Sequence, residues 1–107
     1  VLELGSNIAL AGYEIRKRFP DTLKLIGVET SGKMIDLLEN VYYPDYNVYD
    51  RIINSSVATF LETNKEQFSV IVSFCGFGFT KNLKKYLGLV SRSLATGGYL
   101  ALCLPVG

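Results

Sequence analysis

Two residues far apart in this 107-residue chain, Gly5 and Glu29, have the types and the setting needed to hold a small molecule. Gly5 ends a short apolar run, where the missing Cβ lets backbone approach a ligand closely. The helical pattern that follows from about Ile8 aims free N–H groups and a partial positive charge at the same place. Glu29 closes the next apolar run, where a carboxylate accepts hydrogen bonds from a ribose diol. The competing reading of Glu29 is an exposed carboxylate at the start of a loop. No side chain stands out as a general base. The chain has no histidine, and Cys75 and Cys103 lack ligand spacing, so no metal site is expected.

Both residues need parallel strands beside one another, and the hydrophobic pattern predicts them. Residues 1–4 read as a short buried strand. Over 8–19, Ile8, Ala11, Ile15 and Phe19 share one helical face, while Glu14, Arg16, Lys17 and Arg18 fall mostly elsewhere. Ser6 or Asn7 is the expected N-cap, and Pro20 the stop. Residues 23–28 form the second predicted strand, and Thr30 or Ser31 caps a helix carrying Met34, Ile35, Leu37 and Leu38. The aromatic stretch 41–49 reads as a connection. Arg51–Asn54 is a weak third strand, 57–66 a helix with Val57, Phe60 and Leu61 inward, and Phe68–Phe74 the clearest strand. After the loop 75–79, a helix over 81–95 turns Leu83, Leu87, Val90 and Leu94 inward. Gly97 and Gly98 end it, and 99–104 is the last strand.

Five strands alternating with four helices imply right-handed crossovers and a three-layer αβα sandwich around a mainly parallel sheet. The ligand crevice then lies at the carboxyl ends of the strands, where connections diverge to opposite faces. Residues 1–107 make one domain, with no internal repeat or low-complexity linker.

Composition sets the outer bounds. A hydrophobic fraction of 49% with 20% charged residues suits a packed core, and a net charge of +1 gives no reason to expect nucleic acid or membrane as a partner. Lys81, Lys84 and Lys85 read as a solvated helix face. No apolar run is long enough to span a bilayer, and no leader precedes the first strand, although a chain opening inside a strand leaves an upstream leader open. Cys75 and Cys103, set in or beside apolar segments, read as buried free thiols in a reducing cytoplasm.

Four segments in order carry a family resemblance: Val1-Leu2-Glu3-Leu4-Gly5, Gly27-Val28-Glu29-Thr30-Ser31-Gly32-Lys33-Met34-Ile35, Phe68-Ser69-Val70-Ile71-Val72-Ser73, and Leu94-Ala95-Thr96-Gly97-Gly98-Tyr99-Leu100. Together they resemble the Rossmann-like core of class I S-adenosylmethionine-dependent methyltransferases over nearly the whole chain. The nearest subtype by this likeness is the small methyltransferases found beside tetratricopeptide repeats. The resemblance implies S-adenosylmethionine as cofactor and methyl transfer to an unidentified acceptor. It sets the methionine end of the cofactor near Glu3, Gly5 and Ser6, with Asn7 in the same loop, and its ribose at Glu29. Thr30 and Met34 border the adenine, Ser55, Ser56 and Val57 reach its edge, and Ser73, Phe74 and Cys75 face the acceptor.

The chain also departs from that pattern. Asn7 and Ala9 stand where the family repeats glycine, Ser55 and Ser56 where an aspartate commonly meets the adenine amino group, and Ser69 where an acidic residue often opens strand four. These replacements support an alternative, a non-catalytic methyltransferase-like domain serving as scaffold or partner-binding module. Tyr42, Tyr43, Tyr46 and Tyr49 would then supply a partner surface, or else they pack over the sheet edge. Phe77 and Phe79 pose the same choice between acceptor wall and loop anchor. A nicotinamide dehydrogenase would want glycines at Asn7 and Leu10, a phosphate loop a Gly-Lys-Ser/Thr ending, and a receiver domain clustered aspartates; none is present. The core reads as truncated after strand five, and the chain as an excerpt of a longer protein, with an open strand-five edge that invites a partner or a further segment.

Overall fold

The computed structural model describes residues 1–6, 9–20, 23–74 and 82–103. Five parallel strands, β1 (Leu2–Leu4), β2 (Ile26–Glu29), β3 (Arg51–Asn54), β4 (Phe68–Phe74) and β5 (Leu94–Cys103), form one sheet in the order β3-β2-β1-β4-β5. The helices are α1 (Leu10–Arg18), α2 (Gly32–Leu37), α3 (Val57–Thr63) and α4 (Leu83–Ser93), with α2 running directly into a π-helical turn, Leu38–Tyr42. From β1 the chain moves outward to β2 and β3, then crosses back to β4 and β5. The strand order therefore reverses between β1 and β4, where open α/β sheets place their crevice.

Every residue of β1 and β2 is buried, Glu3 and Glu29 included, as expected for central strands covered on both faces. Leu2, Leu4, Val28 and Ile71 pack against Phe60 and Leu61 of α3 and Val90 of α4 on one face. Ala9, Leu25, Leu38 and Val48 form a second cluster on the other, joined by Tyr13 and Ile15 of α1. The result is the expected three-layer sandwich. Fully burying each Leu, Ile or Val contributes about 1.5–3 kcal/mol, so these two clusters dominate what holds the sheet to its helices.

β3 and β4 have the bounds that their sequence pattern predicts, but other expectations shift. The N-cap of α1 is Ala9, without a side-chain capping bond, rather than Ser6; Asn7 lies outside the described residues. Ala9 has φ 62°, a left-handed backbone that costs a non-glycine residue about 1–2 kcal/mol. Ile15 of the predicted α1 face packs into the core, but Arg16 is buried and Phe19 is exposed, both contrary to expectation. Arg16 tolerates burial because its guanidinium makes four hydrogen bonds, to Val48 O (2.8 Å), Leu23 O (3.0 Å), Pro20 O (3.3 Å) and Asp50 Oδ2 (2.7 Å).

Val41 and Tyr42 belong to the π-helical turn rather than to a connection. On α4, Tyr86 and Leu89 pack against the core beside Leu83 and Val90. Gly97 and Gly98 do not cap α4. The helix gives way to β5 already at Leu94, and the glycines lie inside a bulge of that strand. Phe68 pairs with Leu94 and Val70 with Tyr99, so Ser69 alone stands opposite Ala95, Thr96, Gly97 and Gly98. The left-handed requirement is met by Gly97 at φ 78°, and a Cβ on Gly98 would come within 2.8 Å of Ser69 O. β5 is an edge strand, and Cys103 on it is exposed, contrary to the expectation of a buried thiol. Cys75 and Lys81 lie outside the described residues. No described helix is long and apolar enough to cross a membrane.

Candidate functional site

The carboxyl ends of four neighbouring strands form a continuous rim. β1 ends in a turn at Gly5, whose φ of 73° only glycine adopts without strain. Gly5 N and Ser6 N both donate to Val28 O, at 2.9 and 3.0 Å, which locks the turn against the end of β2. Ala9 N donates to Ser6 O (2.8 Å), and α1 starts one residue later. The first-turn amides of α1 have no acceptor within the helix; that of Gly12 donates to the Glu3 side chain, and N–H groups at a helix start suit an anionic or polar group above the turn.

Glu29 closes β2 as a buried carboxylate, and its Oε2 accepts from Ser31 N (3.0 Å). Ser31 in turn caps α2 by accepting from Met34 N (3.1 Å). The end of β3 is tied to the end of β2: Ser55 N donates to Glu29 O (3.1 Å), and Asn54 Nδ2, in the amide orientation that satisfies its neighbours, donates to Thr30 O (2.9 Å) and Glu29 O (3.2 Å). Ser55 Oγ donates to Ser56 O (2.9 Å), and Ser56 caps α3 by accepting from Thr59 N (3.0 Å). Past β1, Ser73 is buried and donates to Leu4 O (3.0 Å), whereas Phe74 is 55% exposed. In strand order the rim therefore reads Ser55 and Ser56, Glu29 and Thr30, Gly5 and Ser6, then Ser73 and Phe74. Met34 and Val57 stand slightly back from it, each packed against one of the core clusters.

Behind the β1 turn lies a buried polar cluster. Glu3 is 2% exposed and accepts from the Tyr49 hydroxyl and the Gly12 amide of α1. Burial raises the Glu3 carboxyl to about 7, with those two hydrogen bonds opposing the rise. Burial, with Glu3 beside it, pushes the Tyr49 phenol up as well. Ser6 Oγ faces the same hydroxyl and, among the described residues, is a buried side-chain oxygen without a hydrogen bond of good geometry.

A protein-family model for the methyltransferase domain matches residues 2–102. The chain belongs to that family. The five-stranded parallel sheet with helices on both faces is the Rossmann-like core of class I S-adenosylmethionine-dependent methyltransferases. The plantazolicin methyltransferase BpumL, solved with a desmethyl-plantazolicin analogue and S-adenosylhomocysteine, superposes with a TM-score of 0.79 at 18% identity over 97% of this chain and 38% of its own. Coclaurine N-methyltransferase, solved with N-methylheliamine and S-adenosylhomocysteine, gives 0.78 at 17% identity, covering 94% of this chain and 29% of its own. A methyltransferase from Thiobacillus denitrificans, solved with S-adenosylhomocysteine, gives 0.71 at 15% identity over 94% and 40%. This methyltransferase core thus spans well under half the length of these relatives. No curated protein gives a significant sequence match.

Within the methyltransferase core, the structure brings eleven of the residues singled out by sequence to the rim or directly behind it: Glu3, Gly5, Ser6, Glu29, Thr30, Met34, Ser55, Ser56, Val57, Ser73 and Phe74. Glu3 differs from the others in that its carboxylate is turned beneath the turn toward Tyr49. Sequence reasoning missed Tyr49 and Asn54 as supports of the rim. The aromatic run around Tyr49 was visible; its reach to Glu3 depends on tertiary packing and leaves no local signal. Tyr43 stacks on Tyr13 at 5.2 Å and Tyr46 meets the same ring edge-on at 5.4 Å, so part of the tyrosine set packs on α1. A cavity of about 560 Å³ lies on that side, beside Arg16, Tyr43, Tyr46 and Asn47, and it shares no lining residue with the rim. Its buried cation, Arg16, is already paired with Asp50, whose carboxyl is held below the ordinary value by the Leu25 N–H and the Arg16 guanidinium.

Proposed function

We propose that the rim binds S-adenosylmethionine and that the whole protein, of which this is the cofactor core, transfers its methyl group to an acceptor chosen by other segments. The observation that carries this reading is the juxtaposition of the glycine turn with a buried carboxylate on the adjacent strand: Gly5 and Ser6 are bonded to Val28, one residue before Glu29. The residues fit the cofactor. The turn carries no side chain at Gly5, α1 begins beside it with first-turn amides other than that of Gly12, and Ser6 Oγ has unspent hydrogen-bonding capacity. The relatives solved with S-adenosylhomocysteine support the same reading.

In this reading the turn and α1 hold the amino-acid end, Glu29 accepts from the ribose hydroxyls, and Thr30, Met34, Ser55, Ser56 and Val57 border the adenine. Ser73 and Phe74 bound the side from which an acceptor approaches, with Asn7 and Cys75 assigned to the same surfaces by resemblance alone. When bound, the cofactor supplies an electrophilic methyl group. The chain's own contribution is to fix that group's position and to exclude water, because alignment with a nucleophile is the main requirement of such a transfer. A neutral serine where an aspartate would meet the adenine loses a charged hydrogen bond of about 1.5–3 kcal/mol, so affinity is expected to fall about ten- to a hundredfold below that of an aspartate-bearing site. Calorimetric titration of the full-length protein with S-adenosylhomocysteine tests the proposal. Saturable heat at micromolar to millimolar ligand supports it, and no heat at millimolar ligand leaves the domain a scaffold.

A further inference from the structure

The Glu3–Tyr49 contact is more elaborate than packing requires. The Tyr49 ring stands in a slot between α1 and β2 that exists because both walls are glycine. A Cβ on Gly12 would collide with the Tyr49 hydroxyl and lie 2.8 Å from Glu3 Oε1, and one on Gly27 would lie 2.9 Å from Tyr49 Cε1. An apolar ring would fill that slot equally well, and burying a carboxyl and a phenol together is costly unless their hydrogen bonds are made. Here they are made in a definite direction. The phenol donates to Glu3, and Glu3 also accepts from the Gly12 amide, which is one of the first-turn donors of α1.

Three consequences meet at the β1 turn. Glu3 lies two residues before Gly5, so fixing its side chain fixes the strand end that the turn leaves. The same carboxyl fixes the start of α1, whose remaining first-turn amides point above the turn. Ser6 Oγ faces the phenol and, among the described residues, makes no hydrogen bond of good geometry. From these we propose that Tyr49 is a positioning residue for the amino-acid end of the cofactor: by holding Glu3 against α1 it sets the β1 turn and the α1 amides in one arrangement relative to each other. The proposal rests on the S-adenosylmethionine reading of the rim. It assigns no role to Tyr49 at the ribose or adenine, because Glu29 is held by Ser31 and Asn54, Ser55 by Glu29, and Ser56 by Thr59.

Two probes separate the ends of the cofactor. S-adenosylhomocysteine has the amino-acid end, and 5′-methylthioadenosine keeps the nucleoside and the sulfur but lacks it. Tyr49→Phe keeps the ring in its glycine slot and removes only the hydroxyl. In calorimetric titrations of the full-length protein it should weaken S-adenosylhomocysteine about tenfold and change 5′-methylthioadenosine less than twofold. Glu3→Leu should show the same selective loss, and Glu3→Gln, which keeps an oxygen for the hydroxyl, should recover most of it. Equal losses for both probes, no loss for either, or no difference between Glu3→Gln and Glu3→Leu would overturn the role of Tyr49 while leaving the rim reading intact. A wild-type protein that binds neither probe would overturn both.

Discussion

Replacing Glu3 with glutamine should change how stability depends on pH, in a window that the structure defines. Glu3 is raised from 4.5 to about 7, chiefly by burial. Between those values the folded protein holds a proton that the unfolded chain has released. The stabilising effect of that proton is therefore complete below about pH 4.5 and disappears as pH rises to about 7. At 1.36 kcal/mol per unit, the loss across the window is about 3 kcal/mol. Glutamine keeps an oxygen for the Tyr49 hydroxyl and does not titrate, so the Glu3→Gln protein escapes this loss. Relative to wild type, it should gain about 3 kcal/mol between pH 4.5 and 8, whatever its starting offset at acid pH. Urea unfolding at a series of pH values measures this directly. With a denaturant slope of about 1.5 kcal/mol per molar, the separation between the two midpoints should change by about 2 M. Asp50, whose carboxyl is held below its ordinary value, acts in the opposite sense and at lower pH, and it is common to both proteins. A midpoint separation that stays constant from pH 4.5 to 8 would refute the claim that Glu3 is buried with a proton near neutrality.

Other expectations follow from individual residues. Ala9→Gly should leave stability within about 1 kcal/mol of wild type in chemical denaturation, because relief of the left-handed backbone is offset by loss of a fully buried methyl and a more flexible unfolded chain; Ala9→Val should lose more than about 2 kcal/mol. Arg16→Met should destabilise by about 2–4 kcal/mol by stranding the carbonyls of Val48 and Leu23 together with Asp50, whereas Lys85→Ala, which breaks an exposed 3.3 Å pair with Glu62, should cost less than about 0.5 kcal/mol in the same assay. Glu29→Ala should weaken S-adenosylhomocysteine at least tenfold by calorimetry, and unchanged affinity would remove Glu29 from the ribose site.

The path of the chain was legible in sequence to the extent that burial was regular. β1 and β2 lie inside a parallel sheet and are legible from their Leu, Ile and Val residues despite the buried Glu3 and Glu29, and β4 announces itself by a β-branched and aromatic run. The rim was legible because Gly5 and Glu29 sit at strand ends, where backbone conformation and charge both leave a local trace. The failures are equally specific. Arg16 looked like a surface residue because its partners, Val48 and Asp50, are more than thirty positions away. Gly97 and Gly98 suit a helix end as well as a strand bulge, and only the pairing of Phe68 with Leu94 and of Val70 with Tyr99 distinguishes the two. Tyr49 was one tyrosine in an aromatic stretch; what singles it out is a slot formed by Gly12 and Gly27 from two other elements.

A crystal structure of the full-length protein with S-adenosylhomocysteine tests the central claim most directly. The account predicts ligand density along the strand ends, with the ribose hydroxyls within hydrogen-bond distance of Glu29 and the amino-acid end over Gly5, Ser6 and the start of α1. Density in the 560 Å³ cavity beside Arg16 and Tyr43, or none at the rim at saturating ligand, would contradict it.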